Sequence, residues 1–192
     1  MAYSNKANRG RPFEEFLKFA HKRYEAAGLA VVHKVPTEFI PLRNCIGQIC
    51  GCKVEHKSCV DFLGRYKTIA VAIEAKHTEN DRISFSCIEE HQAAFLDLWD
   101  VPGSAALVLV SFGLKRFFAV PWVFWKTARK IWLSKSKKKV EVNAYGWTWT
   151  TPGMASANAE QFHPDWEVKA GGAMGLPYMA IIDKITKGAQ SQ

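Results

Sequence analysis

The sequence predicts a single α/β domain, spanning residues 1–192, in which helices flank a mixed β-sheet. Its 192 residues are 48% hydrophobic and 23% charged, a balance that excludes a disordered or fibrous chain and suits one globular core. Helix-like and strand-like patterns alternate along the chain, and no internal repeat is present. This alternation is typical of an α/β fold.

The first predicted helix begins at Pro12, because a proline in the first helical position loses no hydrogen bond. Apolar residues follow at helical spacing as far as Tyr24, and Gly28 marks the end of the helix. Residues 29–35 are rich in β-forming side chains and predict the first strand. Residues 37–57 show no clear period, so we expect an excursion from the sheet.

A β-hairpin is predicted next, with one strand from Val60, a turn at residues 66–68 and a second strand over residues 69–76. Apolar residues between Ile88 and Trp99 then predict a second amphipathic helix. The later predicted elements are strands at 105–111 and 116–120, helices at 122–133 and 177–187, and an insertion at 140–175 that begins as a ribbon and continues as irregular chain. The strand at 105–111 is apolar enough to lie centrally in the sheet.

The charge balance narrows the class of partner. Lysine and arginine total 26 against 18 acidic residues, so the net charge is +8 and the pI is about 9.3. This excess favours a polyanion, either nucleic acid or an acidic membrane surface. Residues 1–11 are polar and basic, so we expect no signal peptide there, and Lys115 and Pro121 interrupt the most apolar stretch, residues 104–125. With five cysteines, an odd number, we expect a soluble, cytoplasmic protein without a membrane partner.

Three ionisable side chains are predicted to converge at one end of the hairpin. Alternate residues of a strand share a face, so Glu74 and Lys76 point to the same side. If the turn pivots about residues 67 and 68, Asp61 lies opposite Glu74. Two facing carboxylates repel unless a cation lies between them, and hard oxygen ligands favour magnesium. Lys76 would orient or deprotonate the attacking water, which indicates phosphodiester hydrolysis.

A structural alternative stays open at this point, since Glu74 and Lys76 could be ordinary solvated residues on an exposed strand face. Two other residues favour the catalytic interpretation. Glu14 lies on the first helix, and Gln92 occupies the apolar face of the second, where a glutamine needs a polar partner.

Several motifs, in this order along the chain, resemble those of the RecU Holliday junction resolvases of the PD-(D/E)xK nuclease superfamily. They are Asn8-Arg9-Gly10 leading into Glu14, residues 30–34 with Pro36, residues 61–76, Ser84-Phe85, His91-Gln92, the strand pair at 107–121 and residues 178–183. The resemblance implies a restriction-endonuclease-like fold.

The resemblance also implies a role for each matching residue. The predicted catalytic residues are Glu14, Asp61, Glu74, Lys76 and Gln92. Asp61 and Glu74 would bind Mg²⁺, for which Mn²⁺ can substitute, with the Ala75 carbonyl as a further ligand. Lys76 would position the nucleophilic water.

Five basic residues are predicted to bind DNA: Arg9, Arg11, Lys34, Lys53 and Lys57. Arg9 and Lys34 match family positions associated with junction DNA. Members of the family act as homodimers that nick two opposing strands of a four-way junction. We therefore expect a homodimer in a bacterial or phage-infected cell, with recombination proteins as further partners.

The sequence departs from the family pattern in two segments. A stalk that reaches into the junction centre is equivalent to residues 37–57, which look shorter here and contain Cys45, Cys50 and Cys52. With His56 and Cys59 these cysteines could surround zinc, but free thiols fit their irregular spacing better. Residues 143–175 match no family segment.

Two features outside the predicted site allow alternatives. The basic run at residues 126–139 contains no acidic residue, so it predicts either a contact with a DNA arm or a solvated helix face with a flexible lysine tail. Trp147 and Trp149 share one face of the ribbon and could stack on bases or pack on the domain.

The predicted function is that of a magnesium-dependent, structure-selective endonuclease. It would resolve Holliday junctions by paired nicking during recombination and repair. The alternatives are a DNA endonuclease without junction preference and a junction-binding protein that does not cleave.

Overall fold

The computed structural model describes residues 10–189, so the predicted DNA contact Arg9 lies outside the described residues. The helices are α1 (Arg11–Ala26), α2 (Glu90–Trp99), α3 (Trp122–Leu133) and α4 (Met179–Ala189). The strands are β1 (Ala30–Lys34), β2 (Glu38–Arg43), β3 (Ile49–His56), β4 (Phe62–Tyr66), β5 (Ile69–Thr78), β6 (Arg82–Ser84), β7 (Ser104–Phe112), β8 (Arg116–Pro121), β9 (Glu141–Ala144), β10 (Trp147–Thr150), β11 (Ser156–Asn158) and β12 (Glu167–Val168).

Six of these strands form one mixed sheet in the order β1-β4-β5-β7-β8-β12. β5 and β7 pair in parallel, and the other neighbours are antiparallel. Helices cover both faces of the sheet: on β5, Glu74 contacts Gln92 of α2, whereas His77, which faces the opposite way, lies beside Phe13 of α1. The predicted fold class, a mixed sheet flanked by helices, is therefore confirmed.

The centre of the sheet follows from its composition. Eight of the nine residues of β7 are buried, as a strand covered by helices on both faces requires. The first helix packs a stripe at helical spacing, Phe13, Leu17 and Tyr24, against the sheet. Pro12 lies in its first turn, and Gly28 adopts a positive φ of 68° just beyond its end, as the sequence predicts.

The two segments without a clear period contain short strands. Residues 37–57 leave the main sheet, as predicted, and contain a hairpin in which β2 and β3 pair as a separate two-stranded sheet with two shifts in register. The ribbon predicted at the start of the 140–175 insertion is present as β9 paired with β10. The rest of the insertion is more regular than expected, because β11 pairs with β6 and β12 extends the main sheet. β6, β11 and β12 have only two or three residues each, too few to show a period in the sequence.

The two ribbon tryptophans pack into the protein. Trp147 and Trp149 are 2% and 5% exposed and lie against Phe124 and Trp166. The packing interpretation is therefore correct, and stacking on bases is excluded. None of the described helices is both long enough and apolar enough to cross a membrane.

Candidate active site

The register of the hairpin brings Asp61 and Glu74 together. β4 and β5 pair Phe62 with Ile73 and Tyr66 with Ile69, so the next position along places Asp61 opposite Glu74, as predicted. The Asp61 N–H donates to Oε2 of Glu74 (3.2 Å), and the Ala75 N–H donates to Oδ2 of Asp61 (2.9 Å). The two acidic residues are thus fixed by hydrogen bonds to backbone.

Glu74 is fully buried, which excludes the interpretation of an ordinary solvated residue. Its Oε1 accepts hydrogen bonds from Nε2 of Gln92 (2.7 Å) and lies 2.6 Å from Nζ of Lys76. Burial raises the pKa of Glu74 to about 8, against the lowering effect of the Lys76 ammonium, and the Asp61 carboxylate adds to the rise. A buried carboxylate in this setting favours a bound cation or proton.

Lys76 is also largely enclosed, with 20% of its side chain exposed. Besides Glu74 it contacts Oε1 of Gln92 at 3.4 Å. Burial alone would lower the pKa of Lys76, but the adjacent Glu74 carboxylate more than offsets this, so the net shift is upward. The Lys76 ammonium group is therefore held beside Glu74 and Gln92.

Gln92 is held in place by the start of α2. Its side-chain oxygen accepts the Glu89 N–H (2.9 Å), while the Glu89 side chain accepts the Gln92 N–H, which completes a capping box. With its oxygen fixed in this way, the Gln92 amide nitrogen is directed at Glu74. This is the polar partner that a glutamine on the apolar face of the helix requires.

Glu14 joins the site through Lys34. Nζ of Lys34 lies 2.5 Å from Oε2 of Glu14 and 3.7 Å from Oδ1 of Asp61. β1 pairs with β4, and the Val35 N–H donates to the Asp61 carbonyl (2.9 Å), which keeps Lys34 beside Asp61. Lys34, predicted from the resemblance as a DNA contact, therefore lies between two acidic side chains inside the site.

The other predicted DNA contacts lie around this centre. Arg11 is exposed at the start of α1, and Lys53 is exposed on β3. Lys57 is exposed and forms an ion pair with Glu89 (2.5 Å). A groove of about 250 Å³ runs from Val54 of β3 past Lys57 to Gln92, so the base of the β2–β3 hairpin opens towards the site.

The oxygen donors suit magnesium better than zinc. The site offers two carboxylates, and the Ala75 carbonyl points to the same side of β5 as the Ala75 N–H that contacts Asp61. Mg²⁺ commonly takes one or two carboxylates and completes its shell with waters and substrate phosphate. Within residues 10–189, no group of three or more His, Cys, Asp and Glu side chains is arranged to hold a metal ion.

The cysteines of the excursion are free thiols in this structure. Cys45, Cys50 and Cys52 are exposed on the β2–β3 hairpin, and Cys59 is half-buried beyond it. The side chain of His56, the fifth candidate zinc ligand, lies outside the described part of the chain.

One residue beside the site, Cys87, was not predicted from the sequence. The Cys87 thiol lies beside Lys76 and Glu74. Burial raises the pKa of this thiol to about 12, so it lines the site as a neutral group. A lone cysteine after the Ser84-Phe85 motif carries no sequence signal for such a position.

Comparison with known proteins gives one consistent result. A family model described as recombination protein U matches residues 8–184. A protein of Lactobacillus delbrueckii subspecies bulgaricus, named Holliday junction resolvase RecU, is 28% identical over 188 residues, covering 93% of this chain and 81% of its own length. Proteins of the same name from Lactobacillus acidophilus and Streptococcus pneumoniae are 26% and 24% identical, covering 93% and 98% of this chain and 79% and 89% of their own lengths.

The family match includes the whole of α1, Asp61 and Glu74 with strands β4 and β5, and the first half of α4. It therefore extends over nearly the entire fold, including the segments that enclose Glu74. The chain belongs to the recombination protein U (RecU) family.

Proposed function

We propose that this protein is a magnesium-dependent, structure-selective endonuclease that resolves four-way DNA junctions by paired nicking. The observation that carries the proposal is the buried Glu74 carboxylate, which lies opposite Asp61 and contacts Lys76. The names of the matched relatives point to the Holliday junction as substrate. The net charge of +8 suits a polyanion of this kind.

The proposed chemistry assigns a task to each side chain. Asp61, Glu74 and the Ala75 carbonyl would hold Mg²⁺, which when bound activates water and screens the charge of the phosphate. Lys76 donates a hydrogen bond that orients the attacking water towards phosphorus. Gln92 fixes Oε1 of Glu74, and Lys34 sets the position of Asp61.

A cleavage assay on a mobile four-way junction tests the proposal. We expect cutting with Mg²⁺ and none with EDTA. Asp61→Asn removes the charge of one ligand, so it should abolish cutting and leave junction binding in EDTA largely unchanged. Asp81→Asn, at an exposed turn position, makes the same charge change and should cut normally.

Two outcomes would support the alternatives instead. A wild-type protein that binds junctions in Mg²⁺ but never cuts them would be a binding protein. Equal cutting of junction, fork and linear duplex at matched salt would indicate an endonuclease without junction preference.

Paired nicking requires two active sites, and we propose that a symmetric homodimer supplies them. Size-exclusion chromatography with light scattering would measure the mass. Mixed dimers of wild type and Asp61→Asn should leave nicked junctions, because only one strand is cut. Fully resolved products from mixed dimers would contradict paired nicking by two sites. The proposed substrate is chromosomal or phage DNA, so we also propose a cytoplasmic location.

A further inference from the structure

Five lysines at the end of α3 and just beyond it form an exposed cluster, here named the lysine surface. They are Lys130, Lys135, Lys137, Lys138 and Lys139. Within residues 10–189 none of the five forms an ion pair. Lys126 and Arg129, from the same basic run, differ because they bind acidic residues of α2 and its C-terminal end: Lys126 lies 3.2 Å from Asp97, and Arg129 lies 2.6 Å from Glu90. Lys126 and Arg129 thus connect α3 to α2, whereas the lysine surface forms no ion pair within the described residues.

The lysine surface is held by backbone hydrogen bonds at both ends. At the end of α3, the Lys135 N–H donates to the Trp132 carbonyl (2.9 Å) and the Ser136 N–H to the Ile131 carbonyl (3.2 Å), which is a Schellman motif. At the other end, the Thr151 N–H donates to the Val140 carbonyl (2.9 Å), and the Val140 N–H donates to Oγ1 of Thr151 (2.9 Å). The segment that carries these lysines is therefore anchored to the domain on both sides.

A neighbouring loop packs closely on the middle of the segment. At Gly153, whose φ is 65°, an added Cβ would lie 2.7 Å from the Lys137 carbonyl oxygen, so the two backbones are in direct contact. A cavity of about 430 Å³ opens beside them between Trp132 and Met154. Because the backbone is fixed, the lysines lose less conformational freedom when they bind a partner.

The lysine surface is connected to the end of the sheet that carries the active site. The carbonyl of Ala155, which lines the cavity, accepts the Phe85 N–H (2.9 Å), and Phe85 begins the short 3₁₀ turn that ends at Cys87 beside Lys76. Arg129 reaches Glu90, the first residue of the helix that carries Gln92. The lysine surface and the candidate site are therefore joined through the 3₁₀ turn and through α2.

We propose that the lysine surface binds the phosphate backbone of a duplex arm adjacent to the scissile strand. The inference rests on the proposed function for the identity of the polyanion. Duplex DNA carries one negative charge for about every 1.7 Å of its axis, so a cluster of lysines can neutralise several phosphates at once. Such contacts position the duplex without reading its sequence, as a structure-selective enzyme requires.

The test measures the salt dependence of binding to a linear duplex in EDTA, using a triple variant that carries Lys137→Gln, Lys138→Gln and Lys139→Gln. Its matched control carries Lys22→Gln, Lys115→Gln and Lys169→Gln, which removes the same charge from exposed lysines on other elements. Each lost phosphate contact lowers the slope of log K against log salt by about 0.9. We expect the first variant to lose about 2 to 3 from the slope and at least about tenfold in affinity relative to the control at roughly 0.1 M salt.

Equal losses in the two variants would overturn the inference, because they would reflect net charge alone. An unchanged slope in the first variant, or a wild type that does not bind duplex DNA, would also overturn it. Circular dichroism of both variants verifies that they fold. A wild type that binds duplex DNA but cuts no junction in Mg²⁺ refutes the proposed function separately, because binding and cleavage are measured in different buffers.

Discussion

At the scale of single residues, Gln92 connects the acidic and basic sides of the candidate site. It donates to Glu74, accepts from Lys76 and also closes the capping box of α2. Gln92→Ala should therefore lower the single-turnover cleavage rate about tenfold to a hundredfold, because the buried Glu74 carboxylate loses a donor. Quenched-flow cleavage of a junction at saturating protein measures this rate without a contribution from binding.

The control for this prediction is another glutamine with the same local role. Gln161 accepts the N–H of Asn158 in a capping box, and it also accepts a hydrogen bond from Arg82, without contacting Asp61 or Glu74. Like Gln92→Ala, Gln161→Ala should lower the free energy of unfolding by about 1 kcal/mol, but it should not slow cleavage. If both variants slow cleavage equally, Gln92 acts only through stability.

His21 gives the folded state a defined pH dependence. It is buried in α1, with Nε2 2.7 Å from the Tyr178 hydroxyl. Burial lowers the pKa of His21 from 6.5 to about 4, and nearby His33 adds to the shift. Between these values the unfolded chain binds the proton more readily, so His21 should contribute a loss of about 3 kcal/mol in unfolding free energy as the pH falls from about 6.5 to about 4.

Urea unfolding across this pH range measures the effect. His21→Gln keeps a polar partner for Tyr178 but does not titrate, so its stability should fall less steeply as the pH decreases. Other carboxylates titrate in both proteins and cancel in the difference. The same slope for wild type and His21→Gln would refute the assignment.

At the scale of elements, the contact between β1 and β4 depends on Gly64. A Cβ at this position would lie 2.0 Å from the Val31 carbonyl oxygen and 2.6 Å from Cα of Val32, both of them backbone atoms. Gly64→Ala should therefore force the strands apart and cost about 2 kcal/mol or more in unfolding free energy. It should also slow cleavage, because Lys34 on β1 would move away from Asp61. Denaturant unfolding and the junction assay measure the two effects.

Gly51 on β3 is the matched glycine. An added Cβ there would meet only the end of the Leu42 side chain, at 3.9 Å. Gly51→Ala should leave both stability and cleavage close to wild type. A Gly64→Ala protein as stable as Gly51→Ala would show that the two strands can separate at little cost.

Elements with one buried face were predictable from the sequence, and those without one were not. The stripe of α1 and the register of β4 and β5 follow from helical spacing and from the position of the turn. β2 is exposed along its whole length, and Phe39 and Ile49 on the β2–β3 hairpin are 56% and 62% exposed. With no buried face, this hairpin has no alternation to detect.

Contacts within the site also differ in how locally the sequence encodes them. Asp61 and Glu74 come together through one tight hairpin, so local sequence places them. The contact of Lys34 with Asp61 depends on the pairing of β1 with β4. An excursion of about twenty residues separates these two strands in the sequence, so no local pattern predicts their pairing. The resemblance to the family predicts that Lys34 contacts DNA, whereas its ion pairs with Glu14 and Asp61 are seen only in the folded structure.

At the scale of the whole molecule, the proposed function places catalytic chemistry and substrate selection in separate parts of the structure. The acidic pair, Lys76 and Gln92 belong to the core sheet and α2, whereas the β2–β3 hairpin projects from the sheet with exposed apolar residues and Lys53. Exposed apolar side chains on a basic protein suit a partner that offers both phosphates and base surfaces. The centre of a four-way junction, where base stacking is interrupted, is such a partner.

Replacement of residues 38–56 by a short Gly/Ser linker tests this separation. The Val35 N–H donates to the Asp61 carbonyl, so the two ends of the excursion are already close and a short linker can join them. β2 lacks buried residues, so the melting temperature should stay within about 3 °C of wild type. Magnesium-dependent nicking should persist, while the preference for junction over linear duplex should fall by about tenfold. Unchanged preference in a folded variant would assign junction recognition to the lysine surface and the core instead of the hairpin.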